Sequence, residues 1–182
     1  ILAGGLATRL NPITENTPKS LIEVAGEPFI AHQIRELASQ GIEDIVLCVG
    51  HLGSKIENFV KNGSDYGVRV QYSYETQNLL GTGGAIKNAL PFLKDVFFVL
   101  YGDSWLEIDY CSVYDSFQKS DCLGLMTVFR NDGQWDTSNV EMVDNQIKLY
   151  SKTLCNPRMN YIDYGLGIFK SEVFNDYTKG SE

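Results

Sequence analysis

The sequence predicts an α/β protein: a mostly parallel, mixed sheet with helices on both faces and a small β insertion towards its end. Three observations carry that expectation. Short, continuously apolar runs, the mark of strands buried on both faces, recur through the first hundred residues. Amphipathic helical segments separate them, and such alternation with short connections builds parallel βαβ units. After residue 130 the rhythm changes to short strand patterns around a two-residue turn.

Taken in order, Ile1-Leu2-Ala3 reads as the end of an apolar strand whose first residues are missing. Phe29 to Gln40 places Ile30, Ile34, Leu37 and Ala38 on one stripe of a helix that Gly41 terminates. Asp44-Ile-Val-Leu-Cys-Val49 is a buried strand. Ser54-Lys-Ile-Glu57 reads as a capping box opening a second helix through Ile56, Phe59 and Val60. Val68 to Tyr72 alternates as a strand, and Thr82 is the expected cap of a third helix that ends near Pro91. Val96-Phe-Phe-Val-Leu100 is the next buried strand. A helix follows Asp109 to about Lys119, then a strand over Cys122 to Phe129. Val140 to Val143 and Ile147 to Tyr150 flank Asp144-Asn145 as a hairpin, and Tyr161 to Phe169 resumes an apolar strand. The sheet is therefore Rossmann-like, and with no linker or repeat the whole of 1–182 is expected to form a single domain.

A formal charge of −8 argues against a nucleic-acid module, which needs many Lys and Arg contacts to phosphates. It leaves room for a single nucleotide, which a few local donors can hold. The four cysteines are widely spaced and form no Cys-x-x-Cys pair, so neither a zinc site nor a redox motif is expected. No apolar run is long enough to span a bilayer and no signal peptide precedes Ile1, so a cytoplasmic location is expected. His32 and His51 have no partner pattern, and no Ser-His-Asp or Cys-His spacing asks for a covalent nucleophile.

In an open α/β sheet ligands bind beyond the carboxyl ends of the strands, so the loops after Ala3, Val49, Tyr74, Leu100 and Phe129 are the places for a site. In Gly4-Gly5-Leu6-Ala7-Thr8-Arg9 paired glycines let backbone approach a ligand and offer N–H groups to an anion, with Arg9 and Lys19 supplying charge. Neither Gly-x-x-x-x-Gly-Lys-[Ser/Thr] nor a Gly-x-Gly-x-x-Gly turn after the first strand is present. Read alone, the six residues are equally a glycine-rich turn carrying surface Arg and Lys.

The longer pattern decides between these. Gly4-Gly-x-x-Thr8-Arg9-Leu10-x-Pro12-x-Thr14-x-x-x-Pro18-Lys19-x-Leu21, followed by Val24-x-Gly26-x-Pro28, resembles the signature of sugar-1-phosphate nucleotidyltransferases. The resemblance implies the nucleotide-diphospho-sugar transferase fold and assigns catalytic roles to Arg9, Lys19 and Asp103. It implies nucleotide contacts from Leu2, Ala3, Gly4, Gly5 and Thr8. Gln77-Asn-Leu-Leu-Gly81-Thr82 is similar to the block that reads the base, which gives Gln77, Gly81 and Thr82 to the nucleotide. Tyr101-Gly102-Asp103 matches the strand end whose Asp binds Mg²⁺. The sugar side is assigned to Lys152 for the phosphate and to Asn139, Asp163 and Gly165 for hydroxyls. Ala7 and Ser151 depart from the family pattern, which usually has Gly and Glu there, and the later acid that completes the metal site in family members is expected in a C-terminal segment beyond Glu182.

The implied reaction joins a nucleoside triphosphate to a sugar 1-phosphate, forming an NDP-sugar and pyrophosphate. The texture of Trp135 to Asn139 and Tyr161 to Gly165 resembles bacterial guanylyltransferases for mannose-1-phosphate or D-glycero-D-manno-heptose 1-phosphate. GTP is therefore the expected nucleotide, with UTP- or dTTP-dependent enzymes and a non-catalytic binding subunit of the same fold as alternatives. A glycosyltransferase fits less well, because Asp103-Ser-Trp105 lacks the second acid of an Asp-x-Asp motif. A homo-oligomer is compatible with this reading.

Overall fold

The computed structural model describes residues 1–5, 13–75, 80–154 and 156–175. A short hairpin of β1 (Glu23–Val24) and β2 (Glu27–Pro28) turns at Ala25-Gly26, both at positive φ, and leads into α1 (Phe29–Ser39). Then follow β3 (Asp44–Val49), α2 (Gly53–Val60), β4 (Arg69–Tyr74), α3 (Gly81–Ala89), β5 (Val96–Leu100) and α4 (Tyr110–Gln118). The remainder is β6 (Gly124–Arg130), β7 (Val140–Val143), β8 (Gln146–Tyr150) and β9 (Tyr161–Lys170).

The strands meet around the first three residues. β3 pairs parallel with β4, and Leu2 bridges in parallel to Cys48 on one side and Tyr101 on the other. Leu2 N donates to Leu100 O at 2.9 Å and Ala3 N to Cys48 O at 2.8 Å, so this segment is the central strand joining β3 to β5. β9 runs antiparallel to β5 and β6, and its first residue pairs with Val140 of β7. A parallel half and an antiparallel half therefore form the mixed sheet that the sequence predicts.

Alternation along β3 shows how both faces are covered. Ile45, Leu47 and Val49 pack with Ile30, Ile34 and Leu37 of α1 and Ile56 and Val60 of α2. Val46 and Cys48 point the other way, onto Ala85 and Ala89 of α3. α4 joins the first face through Tyr110, Val113 and Phe117, while Phe174 packs on the second with Ile86 and Phe97. Each strand residue buried on either face leaves water, which is why these runs are apolar throughout rather than alternating.

Two expected helix starts are corrected. α2 begins at Gly53 behind Leu52, which has a left-handed φ of 60°, and no side chain caps it, so Ser54 lies inside the helix. The turn closed by Gly53 N on Gly50 O at 3.0 Å sets that start, and it is a consequence of where β3 ends. α3 likewise begins at Gly81, one residue ahead of Thr82, behind Leu80, whose side chain makes no cap hydrogen bond. By contrast, Asp109 caps α4, its carboxylate accepting from the Cys111 and Ser112 amides. α1 ends as expected, with Gly41 at φ 79° and its N–H on Ala38 O. The β7–β8 hairpin turns at Asp144-Asn145, both left-handed. Among the described residues no helix is long and apolar enough to cross a membrane.

Candidate active site

The site forms where the central strands end, because glycines let three chains close on one another. Gly102 N donates to Leu2 O at 2.9 Å, and a Cβ on Gly102 would lie 2.8 Å from that oxygen. A Cβ on Gly50 would lie 2.9 Å from Gly4 O, and one on Gly4 2.8 Å from Glu75 Oε1. The ends of the first segment, β3 and β5 are thus in backbone contact, with the Glu75 side chain that follows β4 set against Gly4, at the switch point where strand order reverses and an α/β sheet opens a crevice.

Lys19 and Asp103, 84 residues apart in sequence, form an ion pair at 2.6 Å across this opening. Lys19 lies in a 3-10 turn, Lys19–Leu21, packed against α1, and Asp103 in the turn that follows β5. Their side chains are 43% and 44% exposed, so both are open to a ligand. The Asp103 carboxylate at a strand end fits a divalent cation of the Mg²⁺ type, which takes one or two carboxylates and completes its shell with substrate phosphates and water. Among the described residues no group of three or more His, Cys, Asp or Glu could hold a metal by itself.

The residues that the resemblance assigns to the sugar side come together on the antiparallel half. Asn139 Oδ1 accepts from Asp163 N at 3.1 Å, and Gly165 N donates to Asp163 Oδ1 at 2.9 Å. Asp163 Oδ2 accepts from the Tyr150 hydroxyl at 3.2 Å and the Tyr101 hydroxyl at 3.5 Å. Burial, then the neighbouring Asp163 charge, pushes both phenols above their usual range. The Lys152 ammonium lies 5.6 Å from the centre of the Tyr101 ring. Ser151 Oγ accepts from Leu154 N at 2.9 Å and so shapes the turn that carries Lys152. Gly165, at φ 97°, sits against Ser104, where a Cβ would be 2.9 Å from Oγ. This half therefore abuts the Asp103 turn.

The structure thus places Leu2, Ala3, Gly4, Lys19 and Asp103 in one opening and Asn139, Lys152, Asp163 and Gly165 beside it, with Gly5 next to Gly4 and with Gly81 and Thr82 at the exposed start of α3. Asn88 ties that helix to β4, donating to Ser73 Oγ at 2.9 Å and Tyr74 O at 3.0 Å. Thr8, Arg9 and Gln77, with Ala7 and Cys155, lie outside the described residues. Two residues that contact this opening escape a reading of the sequence. Glu75 reaches from Gly4 to the Leu80 amide, which donates to its Oε2 at 2.8 Å. Its position one residue past the end of β4 is the only signal that marks it. Gln33 of α1 is 2% exposed and donates to the carbonyls of Tyr101 and Ser104. His32 bonds the Val24 carbonyl at 2.8 Å and packs edge-on to Trp105, and Cys48 is buried while Cys111 and Cys122 are exposed free thiols.

The family model "Nucleotidyl transferase" matches residues 1–182. A D-glycero-alpha-D-manno-heptose 1-phosphate guanylyltransferase of Campylobacter jejuni is 33% identical over 177 residues, covering 97% of this chain and 77% of its own. An N-acetylmuramate alpha-1-phosphate uridylyltransferase of Neisseria meningitidis is also 33% identical, over all of this chain and 78% of its own. Among solved structures, HddC from Yersinia pseudotuberculosis complexed with GMP-PN superposes with a TM-score of 0.79 at 26% identity, over 97% of this chain and 77% of that one.

Proposed function

We propose, from the premise that the chain belongs to the nucleotidyl transferase family, that it condenses GTP with a mannose- or heptose-type sugar 1-phosphate to release pyrophosphate. The activity class, sugar-1-phosphate nucleotidyl transfer, is that of the family members it matches along nearly its whole length. The base, the sugar and the residue roles are our reading, as are a single domain over 1–182 and a cytoplasmic location. The observation that carries it is the close approach of Gly4, Gly50 and Gly102 at the strand ends, next to the turn in which Asp103 pairs with Lys19 and with Glu75 set against Gly4.

Glu75 favours guanine. A carboxylate only accepts hydrogen bonds, and guanine offers two adjacent donors, N1–H and N2–H₂, whereas uracil and thymine offer one donor between two acceptors. Leu80 N takes one lone pair of Oε2, so Oε1 and the second lone pair of Oε2 together would accept from both guanine donors, an arrangement that uracil or thymine would meet with an acceptor against an acceptor. Gly81 and Thr82 then start the helix beside the ribose and base, and Leu2 to Gly5 supply backbone along the nucleotide.

In the reaction a phosphate oxygen of the sugar 1-phosphate attacks the α-phosphorus, a new P–O bond forms, and the bond from the α-phosphorus to the bridging oxygen of pyrophosphate breaks. The nucleophile is already an anion, so no general base is needed; the enzyme must hold two anions together. Lys19 faces the triphosphate and Lys152 the sugar phosphate, with Arg9 assigned to the departing pyrophosphate. Asp163, fixed by Tyr101, Tyr150 and Gly165, orients Asn139 and the hydroxyl-reading edge of β9. Mg²⁺, when bound at Asp103, would neutralise phosphate charge and polarise the phosphoryl group.

The test is pyrophosphate release with four NTPs crossed against mannose, heptose, glucose and N-acetylmuramate 1-phosphates. GTP with mannose- or heptose-1-phosphate should give the highest kcat/KM. A preference for UTP, which the Neisseria relative's name makes the second reading, would overturn the role given to Glu75. Nucleotide binding without turnover in any pairing would leave a binding subunit.

A further inference from the structure

We infer that Gln33 is a positioning residue that holds the Asp103 turn in its metal-binding shape, an inference that rests on the metal role proposed for Asp103. Helix α1 presents a buried face of Ile30, Ile34 and Leu37, and Gln33 interrupts it with an amide that is 2% exposed. Its Nε2 donates to Tyr101 O at 3.0 Å and to Ser104 O at 2.6 Å. These two carbonyls bracket Gly102-Asp103, so one planar amide fixes both ends of the turn whose centre carries the carboxylate. Turning the amide over would set Oε1 against the two carbonyls, acceptor facing acceptor, so the orientation is dictated by the turn.

The cost of that orientation is visible, because Gln33 Oε1 is buried without a hydrogen-bond partner among the described residues. A purely packing role at this position would be met by a Leu or Met with no such orphan. Two helical turns on, Gln40 does the matching task at the far end of the same segment. Its Nε2 donates to Ile108 O at 2.9 Å and its Oε1 accepts from Tyr110 N at 3.0 Å. α1 thus splints the whole connection from β5 to α4, with Gln33 at the functional end and Gln40 at the structural one.

That pairing supplies the control. Mn²⁺ binding to the full-length protein with GTP, read from the enhancement of water proton relaxation over that of the protein-free Mn²⁺–GTP complex, is measured for wild type, Gln33→Met, Gln33→Glu and Gln40→Met, alongside thermal melting and the nucleotide KM. Gln33→Met keeps the volume and removes both donors, and should weaken Mn²⁺ binding by ~10- to 100-fold, the usual loss for a group that orients a metal ligand. The KM for nucleotide at saturating metal should not change. Gln33→Glu, which turns a charge on the carbonyls, should weaken it further and gives a second reading if the Met variant folds poorly. Gln40→Met should lower the melting temperature and leave Mn²⁺ binding intact. Wild-type Mn²⁺ binding in both Gln33 variants, or an equal loss in Gln40→Met, overturns the inference. An Asp103→Asn protein that still binds Mn²⁺ as wild type would instead overturn the metal role of Asp103 on which it rests.

Discussion

Replacing Gly4 by Ala tests the nucleotide side of the site with one methyl group. The added Cβ would stand 2.8 Å from Glu75 Oε1 and 3.3 Å from Gly50 N. The amide contact is tight but bearable; the carboxylate contact is not, and the side chain must give. Moving Oε1 out to an ordinary 3.4 Å contact is a shift of 3.4 − 2.8, about 0.6 Å, of a group whose Oε2 is bonded to Leu80 N at 2.8 Å. Losing that bond costs ~1.5–3 kcal/mol for a charged acceptor. The same amount expressed in GTP use is a fall in kcat/KM of ~10- to 150-fold. Glu75→Ala removes the obstacle, so Gly4→Ala in that background should have little further effect. The assay is therefore a cycle of wild type, both single variants and the double variant, read by melting temperature and by kcat/KM for GTP. Additive losses in both readouts would show that Gly4 and Glu75 act separately, and the closed nucleotide side would be wrong.

Three further outcomes follow from the ion pairs. Asp103→Asn should abolish metal-dependent turnover while the fold survives; wild-type rates would remove Asp103 from the site. Lys19→Ala should lose turnover far more than nucleotide affinity, as measured by kcat against the binding constant for GTP, and unchanged activity would refute its assignment to the phosphates. Hydrogen bonding from Arg69, then from Lys94, holds the Asp44 carboxyl down at about 2 against an ordinary 3.8. Its contribution to stability is therefore present above about pH 4 and fades as pH falls through 2. Asp44→Asn should flatten that part of the melting-temperature profile, and identical acid limbs in the two proteins would refute the coupling.

The parts of the fold that read correctly from sequence are those set by local pattern. β3 and β5 are continuously apolar because both faces are covered, and Gly41, Asp109 and Asp144-Asn145 lie at the turns and caps their chemistry favours. The misread helix starts at Ser54 and Thr82 share another cause. α2 starts at the turn that Gly53 N closes on Gly50 O where β3 ends, and α3 starts beside the Leu80 amide that Glu75 holds at the end of β4, contacts that no capping pattern records. The site divides the same way. Lys19 was singled out by a long motif of fixed spacing and Asp103 by a strand end that resembles the family's, and the structure pairs the two directly. Glu75 and Gln33 were not, because a Glu after a strand and a Gln on a helix are ordinary until the fold sets them against Gly4 and the Tyr101 and Ser104 carbonyls.

The two halves of the site differ in how firmly they are held, and that difference suits the proposed reaction. Asp163 is fixed by two phenols and the Gly165 amide, on a strand paired on both sides. Groups that read sugar hydroxyls gain from such rigidity, since discrimination depends on distance. The Lys19–Asp103 pair has the opposite character: each partner has to leave the other before it can meet a phosphate or a cation. An ion pair exposed to this degree is worth only ~0–1 kcal/mol, so arriving phosphate and metal can separate it at little expense. Until then each charge neutralises the other in an opening lined by apposed backbone. On the proposed reading the pair therefore keeps a cation and an anion available to phosphate and metal without binding either so tightly that substrate cannot take it.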